Sequence, residues 1–442
     1  MTFPKYPEYK DSGVEWLGKV PAHWTIQPFF SQFAEREESN RGMVEDNLLS
    51  LSYGKIVKKN IRTLEGLLPE SYETYQLVHP NDIVFRLTDL QNDKRSLRSA
   101  KVEEKGIITS AYLAVKPKGI DAIFSHYLFR AYDLIKVFYS MGGGLRQTMK
   151  FSDMKWLPVL FPPADEQGVI AAFLDHETAR IDALIEEQQR LIELLKEKRQ
   201  SVISHAVTKG LDPDVPMKDS GAEWLGEAPA HWSVKPLSLC FRAQKGSHGA
   251  KLTYSYCAEC PDEYPVYSGQ TQDEGVLGHI DWFEFDKGEN GAILSTTVGA
   301  KAMSLSHICG KFSLSQNCMI IAPIEHDLFV RFYYYHLQPI FHHERALIPD
   351  HMQASFRMQD LYSLRIAEPP LKEQKAIAAY LDERLSHADA LARDVQSSIE
   401  LMKERRSAII SAAVTGKIDV RDWQGPLAGG AGPAVEQEGA GA

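Results

Sequence analysis

The sequence predicts an α+β protein: two globular mixed α/β domains joined by two long antiparallel coiled-coil helices, arising from an internal duplication with pseudo-twofold symmetry. Three observations carry this reading. Pro162-Pro163-Ala164-Asp165-Glu166-Gln167 opens a helical run to about Thr208, and 207 positions later Pro369-Pro370-Leu371-Lys372-Glu373-Gln374 opens a second one. Residues 9–29 reappear, nearly unchanged, as residues 217–237. Between these repeats the two intervening stretches share almost nothing. Self-similarity at one fixed offset marks a tandem duplication of the whole chain.

Taken in order, residues 1–24 form an N-terminal arm and 25–161 a first globular domain. A long helix over 162–210 follows, then the repeated arm over 211–232. A second globular domain covers 233–368, a second long helix 369–417, and a Gly- and Ala-rich tail 418–442 is expected to be largely disordered. Trp16, Trp24, Trp224 and Trp232 are large apolar anchors among turn residues, suited to packing each arm onto a helix. Strand-like runs fall at Asn47 to Tyr53, Asp82 to Leu87, Tyr264 to Tyr267, Gly291 to Leu294 and Cys318 to Ala322, and helical pieces at Ser125 to Ser140 and His326 to His342. The duplication resurfaces only at the domain exits, where Phe151-Ser152-Asp153-Met154 aligns with Met358-Gln359-Asp360-Leu361.

Each helix opens with a Pro-Pro stop and a Glu-Gln first turn, where a carboxylate favours the helix dipole. The first apolar seam reads Ile170, Leu174, Ile181, Leu184, Leu191, Leu195 and Val202, widened by Ile185 and Ile192. The second reads Ile377, Leu381, Ala388, Leu391, Val395, Met402 and Ile409. A run of 44 residues spans roughly 66 Å, more than one small domain needs, so the helices read as spacers. Polar gaps in the seam at Glu177, Gln188 and Lys198 disfavour pairing with strangers, but two related helices in one chain bury such stripes against each other. The alternative is that each helix packs only on its own domain.

The composition is that of a globular protein, 44% hydrophobic and 24% charged, and no apolar run reaches membrane-spanning length. The N-terminus lacks the apolar core of a signal peptide, so a cytoplasmic location is expected. The five cysteines form no disulfide framework, and Cys257-Ala258-Glu259-Cys260 is a weak zinc signal without a second matching pair. A net charge of −10 argues against indiscriminate coating of nucleic acid, though not against local basic faces.

Catalytic signatures are missing. There is no Gly-rich turn after a strand for S-adenosylmethionine and no Asn-Pro-Pro-aromatic loop for base methylation. Pro349-Asp350 with Glu373-Gln374-Lys375, or Asp82 with Glu103-Glu104-Lys105, matches a metal-dependent nuclease on paper, and a standalone nuclease is the alternative function. However, Glu373 sits in a duplicated helical first turn whose other copy, Glu166-Gln167-Gly168, lacks the lysine, so helix capping explains it better. Gly142-Gly143-Gly144 is followed by Leu145-Arg146-Gln147 rather than by Lys-Ser/Thr, which suits a presenting loop better than a phosphate cradle.

The duplicated Lys-Asp-Ser-Gly-x-Glu-Trp-Leu-Gly-x-x-Pro-x-His-Trp arm, the Pro-Pro-x-x-Glu-Gln helix and the continuations Ile181-Asp182 and Ala388-Asp389 resemble the specificity (S) subunit of type I restriction-modification enzymes, from about Tyr6 to Val420. The resemblance implies two target-recognition domains, each reading one half of a bipartite double-stranded DNA sequence, with the helix pair setting the gap. It implies a non-catalytic chain that docks two methyltransferase (M) subunits and is joined by motor-nuclease (R) subunits. S-adenosylmethionine, ATP and Mg are then expected in those partners and no cofactor or metal in this chain.

DNA-contacting residues follow no universal motif of that family, so the candidates are chemical. In the first domain they are Lys55, Lys58, Arg86, Lys94, Arg95, Arg98, Arg146, Gln147 and Lys150. In the second they are Gln270, Lys301, Gln316, Asn317, Arg345 and Gln353. Arg and Gln suit bidentate readout of guanine and adenine edges, although basic runs are as often solvated loops. Partner-binding candidates are Trp16, Trp24, Trp224, Trp232, Glu166, Gln167, Glu373 and Gln374, because identical handles imply identical companions. Unlike domains imply an asymmetric target, and the two half-sites are expected about one duplex turn apart.

Overall fold

The computed structural model describes the chain except residues 1–2, 62–70, 89–96, 142–148, 260, 270–274, 300, 325–326, 350–351, 353–354 and 426–442. The chain divides into two compact units, Met1–Gln188 with Ser397–Ala442, and Gln189–Gln396. Each unit therefore owns half of each long helix, a division different from the linear order of arms, domains and helices. No helix among the described residues is long and apolar enough to cross a membrane.

In unit 1 the chain enters the domain on strand Thr25–Pro28 and leaves on Pro158–Phe161, the two pairing antiparallel with Ile26 opposite Leu160. Between them lies, among the described residues, a four-stranded antiparallel sheet in the order Phe33–Glu35, Leu113–Pro117, Ile83–Phe85, Ser99–Lys101. Strand side chains alternate between faces. Phe85 and Val115 thus join a core with Phe29, Phe33, Phe129 and Phe138, while Val84 and Ala114 face a smaller one with Leu49, Val78 and Ile108. The helix Ala122–Leu134 covers the first face; it starts where the Asp121 side chain accepts the Phe124 N–H at 2.7 Å. That cap explains why it begins before Ser125, and it stops at Leu134, short of the expected Ser140.

Unit 2 repeats this topology. Entry strand Ser233–Pro236 pairs with exit strand Arg365–Glu368. Its four-stranded sheet runs Phe241–Gln244, Cys318–Pro323, Ala292–Thr296, Leu305–Ile308, the same path as in unit 1, and the helix Val330–Ala346 takes the covering place. The duplication that fades from the sequence thus persists in the backbone. Each domain keeps the alternation its core needs while its surface positions drift. Unit 2 differs by a second sheet, Val276–Ile280, Tyr264–Tyr267, Lys311–Leu314 and Phe285–Asp286, in which Tyr264–Tyr267 runs parallel to Lys311–Leu314. Unit 1 has small ladders instead, Gln76–Val78 with Gly106–Ile108 and Leu49–Ser52 with Lys55–Lys58.

The long helices, Ala164–Lys209 and Leu371–Val414, pair antiparallel within each unit. In unit 1 the start of the first (Ile170, Phe173, Leu174, Ile181) shares a core with the end of the second (Ile409, Ile410, Val414). In unit 2 Ile203 and Val207, near the end of the first, meet Ile377, Leu381 and Leu385 at the start of the second. The expected seam needs one correction. Leu184 and Leu391 are exposed, whereas Leu385 and Ile399 are buried. A strict 3.5-residue stripe drifts around a helix of 3.6 per turn, and the buried residues include the four-residue steps Leu381 to Leu385 and Val395 to Ile399.

Candidate nucleic-acid interface and docking frame

The conserved-looking repeats converge on one side chain in each unit. In unit 1 the Glu166 carboxylate, 4% exposed in the first turn of the first long helix, accepts the Trp24 indole N–H at 3.0 Å, the His23 Nε2–H at 2.8 Å and the Tyr6 hydroxyl. In unit 2 Glu373 accepts Trp232 Nε1–H at 3.0 Å and His231 Nε2–H at 2.8 Å. Trp24 and Trp232 are fully buried. Each also lies on the end of the other long helix: a Cβ at Gly416 would meet Pro21 at 2.3 Å and Trp24 at 3.3 Å, and one at Gly210 would meet Trp232 at 3.5 Å. Both glycines sit in left-handed backbone just past their helix ends, where glycine alone carries no penalty. One tryptophan per unit therefore wedges the beginning of one rod against the finish of the other.

The neighbouring glutamines lock the domains. Gln167 Oε1 accepts the Asp121 N–H and its amide donates to Pro162 O, both 2.8 Å. Gln374 does the same with Phe329 N–H and Pro369 O, again at 2.8 Å. In unit 1 the arm and the C-terminal residues are joined without covalent continuity: Asp419 N–H donates to Pro4 O at 2.8 Å, Tyr9 hydroxyl donates to Gly416 O at 3.0 Å, and Arg421 lies over the Tyr6 ring. Burial, and then the Glu166 carboxylate, push the Tyr6 phenol above its ordinary pKa.

These contacts correct the expectation that Trp24, Trp232, Glu166, Gln167, Glu373 and Gln374 form a face for a partner. Their polar atoms are engaged inside the chain, and all but the partly covered Glu373 are buried. Trp16 and Trp224 are different. Trp16 is 37% exposed with its edge on Tyr132, and Trp224 is half-buried with its indole donating to Arg365 O. The Glu373-Gln374-Lys375 nuclease reading also finds no support, since that carboxylate caps and latches; among the described residues no group of three or more His, Cys, Asp or Glu is placed to hold a metal ion.

Of the candidate DNA contacts, Lys94, Arg95, Arg146, Gln147, Gln270 and Gln353 lie outside the described residues. Lys55 and Lys58 stand exposed on the hairpin Leu49–Lys58, where Lys58 pairs with Glu104 at 2.9 Å. Arg86 is half-buried and Lys150 exposed, its N–H donating to Asp153. Arg98 is a correction: it is wholly buried, its backbone N–H donating to Asp133 and its guanidinium to Thr88 O and the Tyr139 hydroxyl. A basic residue read as part of a run belongs to the core because three acceptors await it inside.

In unit 2 the candidates separate into two places. Gln316 and Asn317 line a pocket of about 330 Å³ with Ser268 and Gly269. Lys301 and Arg345 line a larger crease of about 650 Å³ with Lys196 and Arg199 of the first long helix. Unit 1 has a crease of about 360 Å³ where Lys55 meets Arg130 of the domain helix and Lys403 and Arg406 of the second long helix. The long-helix cations and Arg130 were missed among the sequence candidates. For the long-helix cations the available signal was recurrence 207 positions apart, Lys196 with Lys403 and Arg199 with Arg406; Arg130 has Leu337 at its counterpart position.

Residues 243–401 match the family model of the type I restriction modification DNA specificity domain. The chain is similar to the type I specificity subunits. The chain is 22% identical over 437 residues to the putative type I restriction enzyme MjaX specificity subunit of Methanocaldococcus jannaschii, covering 92% of this chain and 96% of that one. It is 28% identical over 160 residues to the type I restriction enzyme MpnII specificity subunit of Mycoplasma pneumoniae, a match covering 36% of this chain but only 46% of the relative. A solved chain, from work on complex assembly and conformational transition of the type I R-M system, superposes with a TM-score of 0.65 at 15% identity. That match covers 89% of this chain and 98% of that one, and supports the fold.

Proposed function

We propose that this specificity subunit reads double-stranded DNA, each unit's recognition domain taking one half of an asymmetric bipartite target while the paired helices set the gap. In this reading the chain is not itself an enzyme. Two methyltransferase subunits dock on the duplicated frame, restriction subunits complete the complex, and S-adenosylmethionine, ATP and Mg are used by those partners. One observation supports it above the rest: the two units share sheet order, latch and helix pairing yet present different loops. An identical frame suits two copies of one partner, and unlike loops suit two different half-sites.

The docking face follows from the same repeat. Leu184 and Leu401 in unit 1, and Leu391 and Leu194 in unit 2, are exposed leucines at equivalent positions. Each unit thus offers the same apolar pair on its helices, and exposed leucines in the middle of a helical rod favour a covering partner. Methylome sequencing of cells expressing this chain with its methyltransferase tests the proposal. The expected result is one modified motif made of two unlike half-sites with a fixed unread spacer. A continuous palindromic motif, or no chain-dependent modification, refutes it.

A further inference from the structure

The two basic creases use the frame rather than the reading loops. In unit 2 Lys196, Arg199 and Ile203 of the first long helix face Tyr334 and Arg345 of the domain helix, with Lys301 at the rim. In unit 1 Lys403, Arg406 and Ile410 of the second long helix face Tyr127 and Arg130, with Lys55 at the rim. The lysine, arginine, isoleucine and tyrosine are each 207 positions from their counterparts, whereas the rim residues come from unrelated stretches. Both arginines are held by the opposite helix, Arg406 to Asp182 at 2.8 Å and Arg199 to Asp389 at 3.4 Å. Both lysines lie beside a glutamate one turn back, Glu400 and Glu193, exposed pairs that hold a cation weakly.

Unit 1 adds a second observation. Arg130 is only 7% exposed, and its guanidinium donates to Gly54 O at 2.6 Å and Ser99 O at 3.1 Å; among the described residues no carboxylate forms an ion pair with it. His126, in the same crease, has a buried Nδ1 with no partner. Asp133 acts on it electrostatically but makes no ion pair with it, and a buried cation without a directly paired carboxylate is expensive to keep. Burial lowers the Arg130 pKa to about 10, the direction desolvation gives a cation. An anion entering the crease removes that penalty.

We infer that each crease seats one phosphate of the target DNA backbone, gripped between the repeated lysine and arginine of the long helix and the domain's own cations. The inference rests on the DNA-reading function proposed above and extends it: the helices contribute a sequence-independent grip as well as spacing and docking. Phosphate is the favoured ligand because the wall is cationic, with tyrosine and aliphatic residues and few of the amides that read base edges. Phosphate contacts position a protein on DNA without specifying sequence, which suits residues repeated in both units while the loops diverge.

The test uses the full chain carrying Lys196→Gln, Lys403→Gln or both, with Lys10→Gln on the exposed arm hairpin as control. Binding to a duplex of unrelated sequence and to the target duplex is followed against salt concentration. Each crease substitution is expected to lower the slope of log K against log salt by about 0.9, and the pair by about twice that, on both duplexes alike. An unchanged slope in a chain that binds DNA overturns the crease assignment and leaves DNA reading intact. Weaker methyltransferase association at an unchanged DNA slope overturns it in favour of an acidic protein surface. A wild-type chain that binds no duplex, alone or with the methyltransferase, removes the DNA reading and the creases with it.

Discussion

Replacing Glu166 by Gln tests the frame where it is most tightly determined. The carboxylate serves three donors, Trp24 Nε1–H, His23 Nε2–H and the Tyr6 hydroxyl, in a site where the glutamate is 4% exposed. Trp24 and Tyr6 share Oε1, so an amide with its oxygen there keeps both donors and turns its N–H₂ toward His23 Nε2, which is 40% exposed and accepts in its other neutral tautomer. The three charge-assisted bonds become neutral ones, each weaker by about 1 kcal/mol. A loss of about 3 kcal/mol follows for E166Q. Glu373 serves two donors and is 27% exposed, and the residue corresponding to Tyr6 in the second repeat is Asp214. Water can replace part of what E373Q loses, so about 2 kcal/mol is expected there. Urea unfolding of the full chain, followed by tryptophan fluorescence with Trp24 and Trp232 as buried reporters in separate units, measures both. Equal losses for the two variants, or a loss below about 1 kcal/mol for E166Q, would refute the argument that the third donor and deeper burial make the first latch the stronger.

Two further perturbations reach other parts of the chain. His336 is buried between Val207 O, to which Nδ1–H donates, and the Ala367 N–H, which Nε2 accepts, both at 3.1 Å, and burial lowers its pKa to about 4. Unfolded imidazole titrates near 6.5, so as pH falls from about 6.5 to 4 the unfolded state binds a proton the native state refuses, and up to ~3 kcal/mol of unit 2 stability is lost. His336→Phe, the residue unit 1 carries at Phe129, is expected to lower stability at pH 7 yet flatten that pH dependence in denaturation curves; an unchanged slope contradicts it. Gly54→Ala places a Cβ 2.0 Å from the Arg130 guanidinium at a φ of +75°. It is expected to destabilise unit 1 by about 2 kcal/mol and to raise exchange of the hairpin amides Leu49–Lys58, and an exchange pattern like wild type's counts against Arg130 as the hairpin's anchor.

The frame was legible because duplication writes it twice. Pro-Pro stops, Glu-Gln first turns and paired tryptophans recur at one offset, and an antiparallel partner was the economical way to cover two matching stripes. The domains were less legible. Their strands were found near Ile83–Phe85, Tyr264–Tyr267 and Cys318–Pro323, but the shared sheet order was not, because pairing joins residues far apart in sequence and tolerates any alternating apolar pattern. Among candidate contacts, Lys55 and Lys301 stand exposed, while Arg98 was misread, since a basic run gives no hint that buried carbonyls and Asp133 lie ready for one of its members.

By itself the sequence determined that the chain is two copies of one plan, with rods, arms and their helix starts, because local periodicity, capping and repetition are properties of neighbouring residues. Only the tertiary structure decided which repeated residues turn inward. Glu166 and Trp24 look like handles in the linear chain and become a latch once a rod end, a helix start and an arm meet. Lys196 and Lys403 look like ordinary surface charge and become crease walls once a domain helix packs beside them. Burial and charge pairing depend on what arrives from elsewhere in the chain, and that information exists only after folding.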